Sequence, residues 1–191
     1  MDELPQYCTA GVLVLGCGNP LVGDDGFGPA VAERLLNAGA GARGPGAGTT
    51  TEPGPGDPAH GTRHPAPDMC VINAGTGSRT ILFNLVTGEP RPKGIIIVDA
   101  LDAGKRPGEL FEAQLESLSL EKAEDFNVHM TPASNMLLKL RDMGVIIRIL
   151  ACQPSPLPGK ILPGLSKEVE AAVGPAAEMV MGMAREMLAS R

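Results

Sequence analysis

Four short apolar runs, bounded by turn residues, alternate with stretches whose apolar positions recur every three or four residues. The runs are Val12–Leu15, Cys70–Ile72, Ile95–Val98 and Val145–Ala151. Runs this short, apolar without alternation, read as strands buried on both faces. Phe27, Val31, Leu35 and Leu36 keep helical spacing in a segment from about Gly26 to Asn37, and a second helix is expected near Arg79–Thr87. Thr131-Pro132 opens a third helix, because Thr is a good N-cap and Pro fits the first helical position. A last helix starts at Ser166, with Leu165, Val169, Val173, Val180 and Met187 on one face and a kink expected at Gly174-Pro175. The turn signal Arg106-Pro107-Gly108 precedes an extra strand over Glu109–Leu115. Strands alternating with helices predict a mostly parallel sheet covered on both sides, an α/β three-layer sandwich.

One stretch breaks the pattern. Fourteen of the thirty residues from Gly39 to Asp68 are Gly or Pro, with almost no large apolar side chains. Such a segment buries too little to offset its ordering entropy, and reads as a flexible insertion at about 39–68. The remainder of the 191 residues is long enough for a proper core, so the chain is most simply one domain. Its formal charge of −6, without a basic cluster and with only four Phe and one Tyr, argues against nucleic-acid binding. No apolar run approaches the roughly 18 residues of a membrane span, and the acidic Met1-Asp2-Glu3 start does not resemble a signal peptide. The four cysteines form no CxxC pair; Cys17, Cys70 and Cys152 lie in or beside apolar runs, as small buried hydrophobes do. A reduced, cytoplasmic protein is the expectation.

The chemistry concentrates after the first run, in Gly16-Cys17-Gly18-Asn19-Pro20-Leu21-Val22-Gly23-Asp24-Asp25-Gly26. In an open α/β fold the loop leaving the first strand lines the ligand crevice. A dinucleotide site places glycines and backbone N–H groups there, because phosphate is anionic. Two adjacent carboxylates instead repel a phosphate and attract a cation. Asp99 ends the third run, and His129 lies two residues before the Thr131 cap. A parallel sheet brings these strand ends to one edge, and two carboxylates with one imidazole suit Zn²⁺, Ni²⁺ or another borderline ion. Plainer roles stay open: Asp24 or Asp25 as a helix cap, and Asp99 as a turn cap with Asp102. His60 and His64 share the insertion, but no helix holds their rings on one face.

Taken in order, these pieces resemble the hydrogenase maturation endopeptidases, which trim the C-terminal tail of the nickel–iron hydrogenase large subunit. The matching pieces are Leu15-Gly16-Cys17-Gly18-Asn19-Pro20, Gly23-Asp24-Asp25-Gly26-Phe27-Gly28, Ala74-Gly75-Thr76, Val98-Asp99-Ala100, His129 and the final helix with Pro175. Nearly the whole chain outside Gly39–Asp68 is covered, and the Gly-Cys-Gly-Asn form is similar to the branch serving F420-reducing hydrogenases. The resemblance implies a twisted five-stranded sheet between helices. It implies that Asp25, Asp99 and His129 are the metal-binding and catalytic residues, and that Asp24 is a neighbouring acid outside the ligand set. It further implies that the metal is nickel supplied by the substrate, with no permanent cofactor. The implied partner is the immature large subunit. Asn73-Ala74, where many members have Asp-Gly, departs from the family pattern and bears on contacts of that loop.

Two other functions are weighed beside this one. A Rossmann-type nucleotide or methyl-donor binder is suggested by Gly16-Cys17-Gly18, but Leu21 stands where the third glycine belongs. A non-catalytic partner of the hydrogenase subunit would keep the fold and ligand set without cutting. No His-Glu-x-x-His helix marks a resident-metal peptidase. Cys17 has no neighbouring base to make it a nucleophile.

Overall fold

In a computed structural model, which describes residues 5–41, 68–116, 131–156 and 161–190, each apolar run becomes a strand. The strands are β1 (Val12–Cys17), β2 (Met69–Gly75), β3 (Gly94–Ala100), β4 (Leu110–Glu112) and β5 (Ile146–Cys152). They form one sheet of order β2-β1-β3-β5-β4, parallel except for β4, which runs antiparallel to β5 at the edge. The predicted α/β sandwich with five strands is the fold observed.

Alternation along β1 explains the layers. Leu13, Leu15 and Cys17 join one apolar cluster, while Val12 and Val14 join the other. β3 divides the same way, with Ile95 and Ile97 on the first face and Ile96 and Val98 on the second. Helices α3 (Ser78–Thr87) and α4 (Thr131–Asp142) cover the first face through Ile81, Leu82, Leu85, Leu137 and Leu140. Helices α2 (Phe27–Gly41) and α5 (Lys167–Ala189) cover the second through Phe27, Val31, Leu35, Val169, Val180 and Met187. Each such fully buried side chain contributes about 1.5–3 kcal/mol relative to exposure, which makes the two clusters the main stabilising term. A short turn of helix, α1 (Gln6–Thr9), adds Tyr7 and Cys8 to the first cluster.

Two elements differ from the sequence reading. β4 is confined to Leu110–Glu112, because Leu115 leaves the strand to be buried in the first cluster. α2 runs on to Gly41, past the expected start of the insertion at Gly39. Extending a nucleated helix by one residue costs little, and Ala38 and Ala40 are strong helix formers. Residues 42–67 lie outside the described residues, as do His60 and His64. Pro175 lies within α5, which continues to Ala189. Among the described residues no helix is long and apolar enough to cross a membrane.

Strand order fixes where a site can form. From β1 the chain crosses one way to β2, and β3 lies on β1's other side. The connections leaving β1 and β3 therefore diverge to opposite faces, which opens a crevice at the carboxyl ends of those two strands.

Candidate active site

β1 delivers the chain to this crevice, and glycines let it turn there. Gly18 has φ 120°, and a Cβ on it would lie 1.9 Å from the Asp25 carbonyl oxygen. Only glycine permits that approach. Its N–H donates to the Gly75 carbonyl at 3.0 Å, tying the β1 and β2 loops together. At Gly28 a Cβ would meet the Cys17 and Val98 carbonyl oxygens at 2.2 and 2.3 Å. At Gly16 it would meet the Gly28 carbonyl oxygen at 2.3 Å. These glycines seat α2 directly on the ends of β1 and β3, which is a packing role and not a pyrophosphate cradle.

The loop then closes on itself. The Asn19 side chain accepts from Leu21 N–H at 3.0 Å, and Asn19 N–H donates to Asp25 Oδ2 at 2.8 Å. Residues Gly23–Gly26 form a 3-10 turn that leads into α2. Asp25 is thereby held over the edge, half-buried.

Asp99, the last polar residue of β3, is buried on the α3/α4 face. Its Oδ1 accepts from Ala100 N–H at 2.8 Å, and lies 3.4 Å from where a Gly18 Cβ would stand. Burial pushes its carboxyl up to about 8, the Asp25 carboxylate adds to the rise, and the Ala100 hydrogen bond opposes it. A buried carboxyl whose ionisation a neighbouring carboxylate disfavours is an arrangement that a divalent cation would relieve. Beside them Cys17 is buried, and its thiol is pushed far above the usual range by burial, then by Asp99 and Asp25, against a hydrogen bond with Ser78. It remains a thiol, so it is not a nucleophile.

Asp24 takes a different course. It is buried and accepts from Ser155 N–H at 2.8 Å, from Ser166 N–H at 2.6 Å and from the Ser166 hydroxyl at 2.9 Å. Those partners are 131 and 142 residues away, so the carboxylate joins distant loops and does not cap its own helix. Ser166 also accepts from Val169 N–H as the N-cap of α5.

The structure thus brings Asp25 and Asp99 together at the crevice and sends Asp24 elsewhere. His129 lies outside the described residues, but α4 begins two residues later, at Thr131. Because α4 leads into the start of β5, its own first residues lie toward the carboxylate edge. Among the described residues no three of His, Cys, Asp and Glu come together to hold a metal ion. The donor pair itself suits a divalent cation. A cleft of about 720 Å³ between α2 and α5, lined by Glu33, Arg34, Asn37 and Glu170 among others, contains neither carboxylate.

Sequence reasoning missed Gln153, Ser155 and Ser166 as partners of this edge. Gln153 is buried; its Oε1 accepts from Ala103 and Lys105 N–H at 2.8 and 3.0 Å. Its Nε2 donates to Asp102 Oδ1 at 2.9 Å and to the Pro154 carbonyl at 3.1 Å. It fixes the loop that follows Asp99. Its signal was the one used for Asp99, a polar residue closing an apolar run.

The family model described as hydrogenase maturation protease matches residues 60–183. A protein of Methanocaldococcus jannaschii, provisionally named a hydrogenase maturation protease, is 31% identical over 173 residues, covering 90% of this chain and 94% of its own. The coenzyme F420 hydrogenase subunit delta of Methanothermobacter thermautotrophicus is 27% identical, covering 90% and 93%. Among solved structures, the hydrogenase maturating endopeptidase HybD from Escherichia coli superimposes with a TM-score of 0.64 at 22% identity, covering 92% of each chain. HybD from Thermococcus kodakarensis gives 0.57 at 22%, covering 91% and 98%. At those identities the superpositions establish the shared fold.

Proposed function

This chain belongs to the hydrogenase maturation protease family, and from that premise we propose that it removes the C-terminal tail of an immature nickel–iron hydrogenase large subunit after nickel has been inserted. Family membership supports the processing endopeptidase role. The finer reading is that Asp25, Asp99 and His129 meet the nickel carried by the substrate and so sense that it has been loaded. The observation that carries it is the pairing of Asp25 with a buried Asp99 whose carboxyl is raised to about 8. A divalent ion arriving there neutralises two carboxylates that otherwise penalise one another. Carboxylates with one imidazole bind nickel more weakly than a thiolate-rich site, which suits a contact that must leave the ion in the substrate. Once docked, the ion orients or polarises the scissile peptide bond or an attacking water.

The name of the Methanothermobacter relative favours an F420-reducing hydrogenase as the partner. Because that relative is named as a hydrogenase subunit, a binding role without cutting is the second reading. One experiment separates them: the purified large-subunit precursor, with and without nickel, is incubated with this protein and its intact mass measured. Loss of a short C-terminal peptide from the nickel-loaded form alone is the expected result. Cleavage without nickel keeps the endopeptidase and removes the nickel-sensing role. A stable complex without cleavage selects the binding role.

A further inference from the structure

The strand that carries Asp99 loses a neighbour just before reaching it. β1 pairs with β3 as far as Gly16 and Val98, while β5 continues beside it through Asp99–Ala151 and Ala100–Cys152. Past the last β1 pair, Ala100 N–H donates to the Asp99 carboxyl itself. Of the two strand neighbours only β5 still holds Asp99, together with whatever fixes the connection that follows it.

Gln153, the residue after β5, fixes that connection. A side-chain amide has two N–H donors and two acceptor lone pairs. Here the oxygen accepts from Ala103 and Lys105 N–H, and the nitrogen donates to Asp102 Oδ1 and the Pro154 carbonyl. The main chain adds two bonds at 2.9 Å: Gln153 N–H donates to the Glu109 carbonyl, and its own carbonyl accepts from Gly108 N–H. Gly104, with φ 67°, donates to Asp102 Oδ1 at 3.0 Å, so the segment turns back onto the amide. One buried residue thus touches the chain between β3 and β4 at Asp102, Ala103, Lys105, Gly108 and Glu109. An apolar side chain would fill the same space without the cost of burying an amide, but would leave the path of the segment unspecified.

We propose that Gln153 is a positioning residue for Asp99: with Asp102 it clamps the segment that follows Asp99, and so fixes how the Asp99 carboxyl meets the substrate. The inference rests on the function proposed above and assigns a residue to it that does not touch the reacting atoms. A misplacement of about 1 Å can cost about a hundredfold in rate, so a clamp outside the carboxylate pair still bears on kcat.

The test is steady-state cleavage of the nickel-loaded large-subunit precursor, read by intact mass, with rates expressed per folded molecule from urea denaturation. Gln153→Glu keeps the length and both acceptor positions but sets an oxygen against Asp102 and the Pro154 carbonyl. kcat is expected to fall about tenfold with KM within about twofold, because lost positioning acts on the transition state. Adding Asp102→Asn returns a donor to the pair with its direction reversed, and should bring kcat back to within about threefold of wild type. Asp102→Ala, at an exposed position, removes the acceptor and should lower kcat about threefold at constant KM. Where Gln153→Glu does not fold, Asp102→Ala alone decides. An unchanged kcat per folded molecule overturns the positioning role and leaves the function standing. A fall in Gln153→Glu that Asp102→Asn does not recover, or a change confined to KM, overturns it as well. Absence of cleavage by wild type overturns the function, and the positioning role with it.

Discussion

Asp24 and Asp25 share a peptide bond, a charge and a place in the same 3-10 turn, yet they serve two different regions of the molecule. Asp24 belongs to the side covered by α2 and α5. There it holds Ser155 and Ser166 and sits near Cys152, whose thiol is pushed up to about 12 by burial first and by the Asp24 charge second. Asp25 belongs to the side of Cys17 and Asp99, where it stands close to another carboxylate. One is saturated with donors, and its charge is compensated by hydrogen bonds. The other raises the cost of ionising its neighbour, and a cation would relieve it. Burial of a carboxylate thus marks an anchor where donors converge and a candidate site where a second carboxylate does.

The largest expected effect is on activity. Asp25→Ala or Asp99→Ala should slow processing of the nickel-loaded precursor by about a hundredfold or more, read as the rate of tail loss by mass, with the fold retained. A near-normal rate in either variant would remove that residue from the catalytic set. Asp24→Ala should show the reverse emphasis. It orphans three donors in a buried setting, so urea denaturation should show about 3 kcal/mol less stability. A stability equal to wild type would mean that Asp24 is no anchor.

Between these in character is the response to pH. The Asp99 carboxyl is raised in the fold to about 8 from its ordinary 3.8. Between pH 4 and 8 the unfolded chain releases this proton while the fold keeps it, so the contribution to stability falls as pH rises and levels off above 8. Asp99→Asn should remove that decline, so that its stability in urea denaturation exceeds wild type by a margin that grows as pH rises toward 8. Calorimetric titration with Ni²⁺ should release protons below pH 8 and tighten as pH rises toward it; pH-independent affinity would contradict the paired-carboxylate reading. The smallest effects separate side chain from main chain around Asp24. Ser166→Ala loses both a donor to Asp24 and the α5 cap, for about 1–2 kcal/mol. Ser155 reaches Asp24 through its backbone N–H, so Ser155→Ala should cost only about 0.5 kcal/mol, since one side-chain hydrogen bond is lost. Equal losses would contradict this assignment of donors.

Much of the architecture was legible because the strands are buried on both faces. Val12–Leu15 and Ile95–Val98 had to be apolar at every position, and continuous apolar runs spaced by helical patterns admit few other folds. The short edge strand was harder. Leu110–Glu112 is only half covered, and its period-2 signal merged with that of Ala113–Leu115. The end of α2 was misplaced because Gly39 and Gly41 resemble a breaker while the helix around them propagates.

At the site, the sequence placed Asp24, Asp25, Asp99 and His129 at one edge, since residues that follow parallel strands collect there whatever else varies; His129 lies outside the described residues. Periodicity and strand ends could not divide the work between Asp24 and Asp25, and only the family resemblance separated them. Adjacent residues have the same propensity, charge and predicted environment, and the physical reason for the division comes with Ser155 and Ser166, which arrive from more than a hundred residues away. Nor could they show that Gly16 and Gly28 serve close packing of α2 on the sheet. Periodicity is a local property, and it determined the elements, the layers and the functional edge. The partner of each carboxylate is a long-range property, set by strand order and by which loops meet over the crevice, and only the tertiary structure decided it.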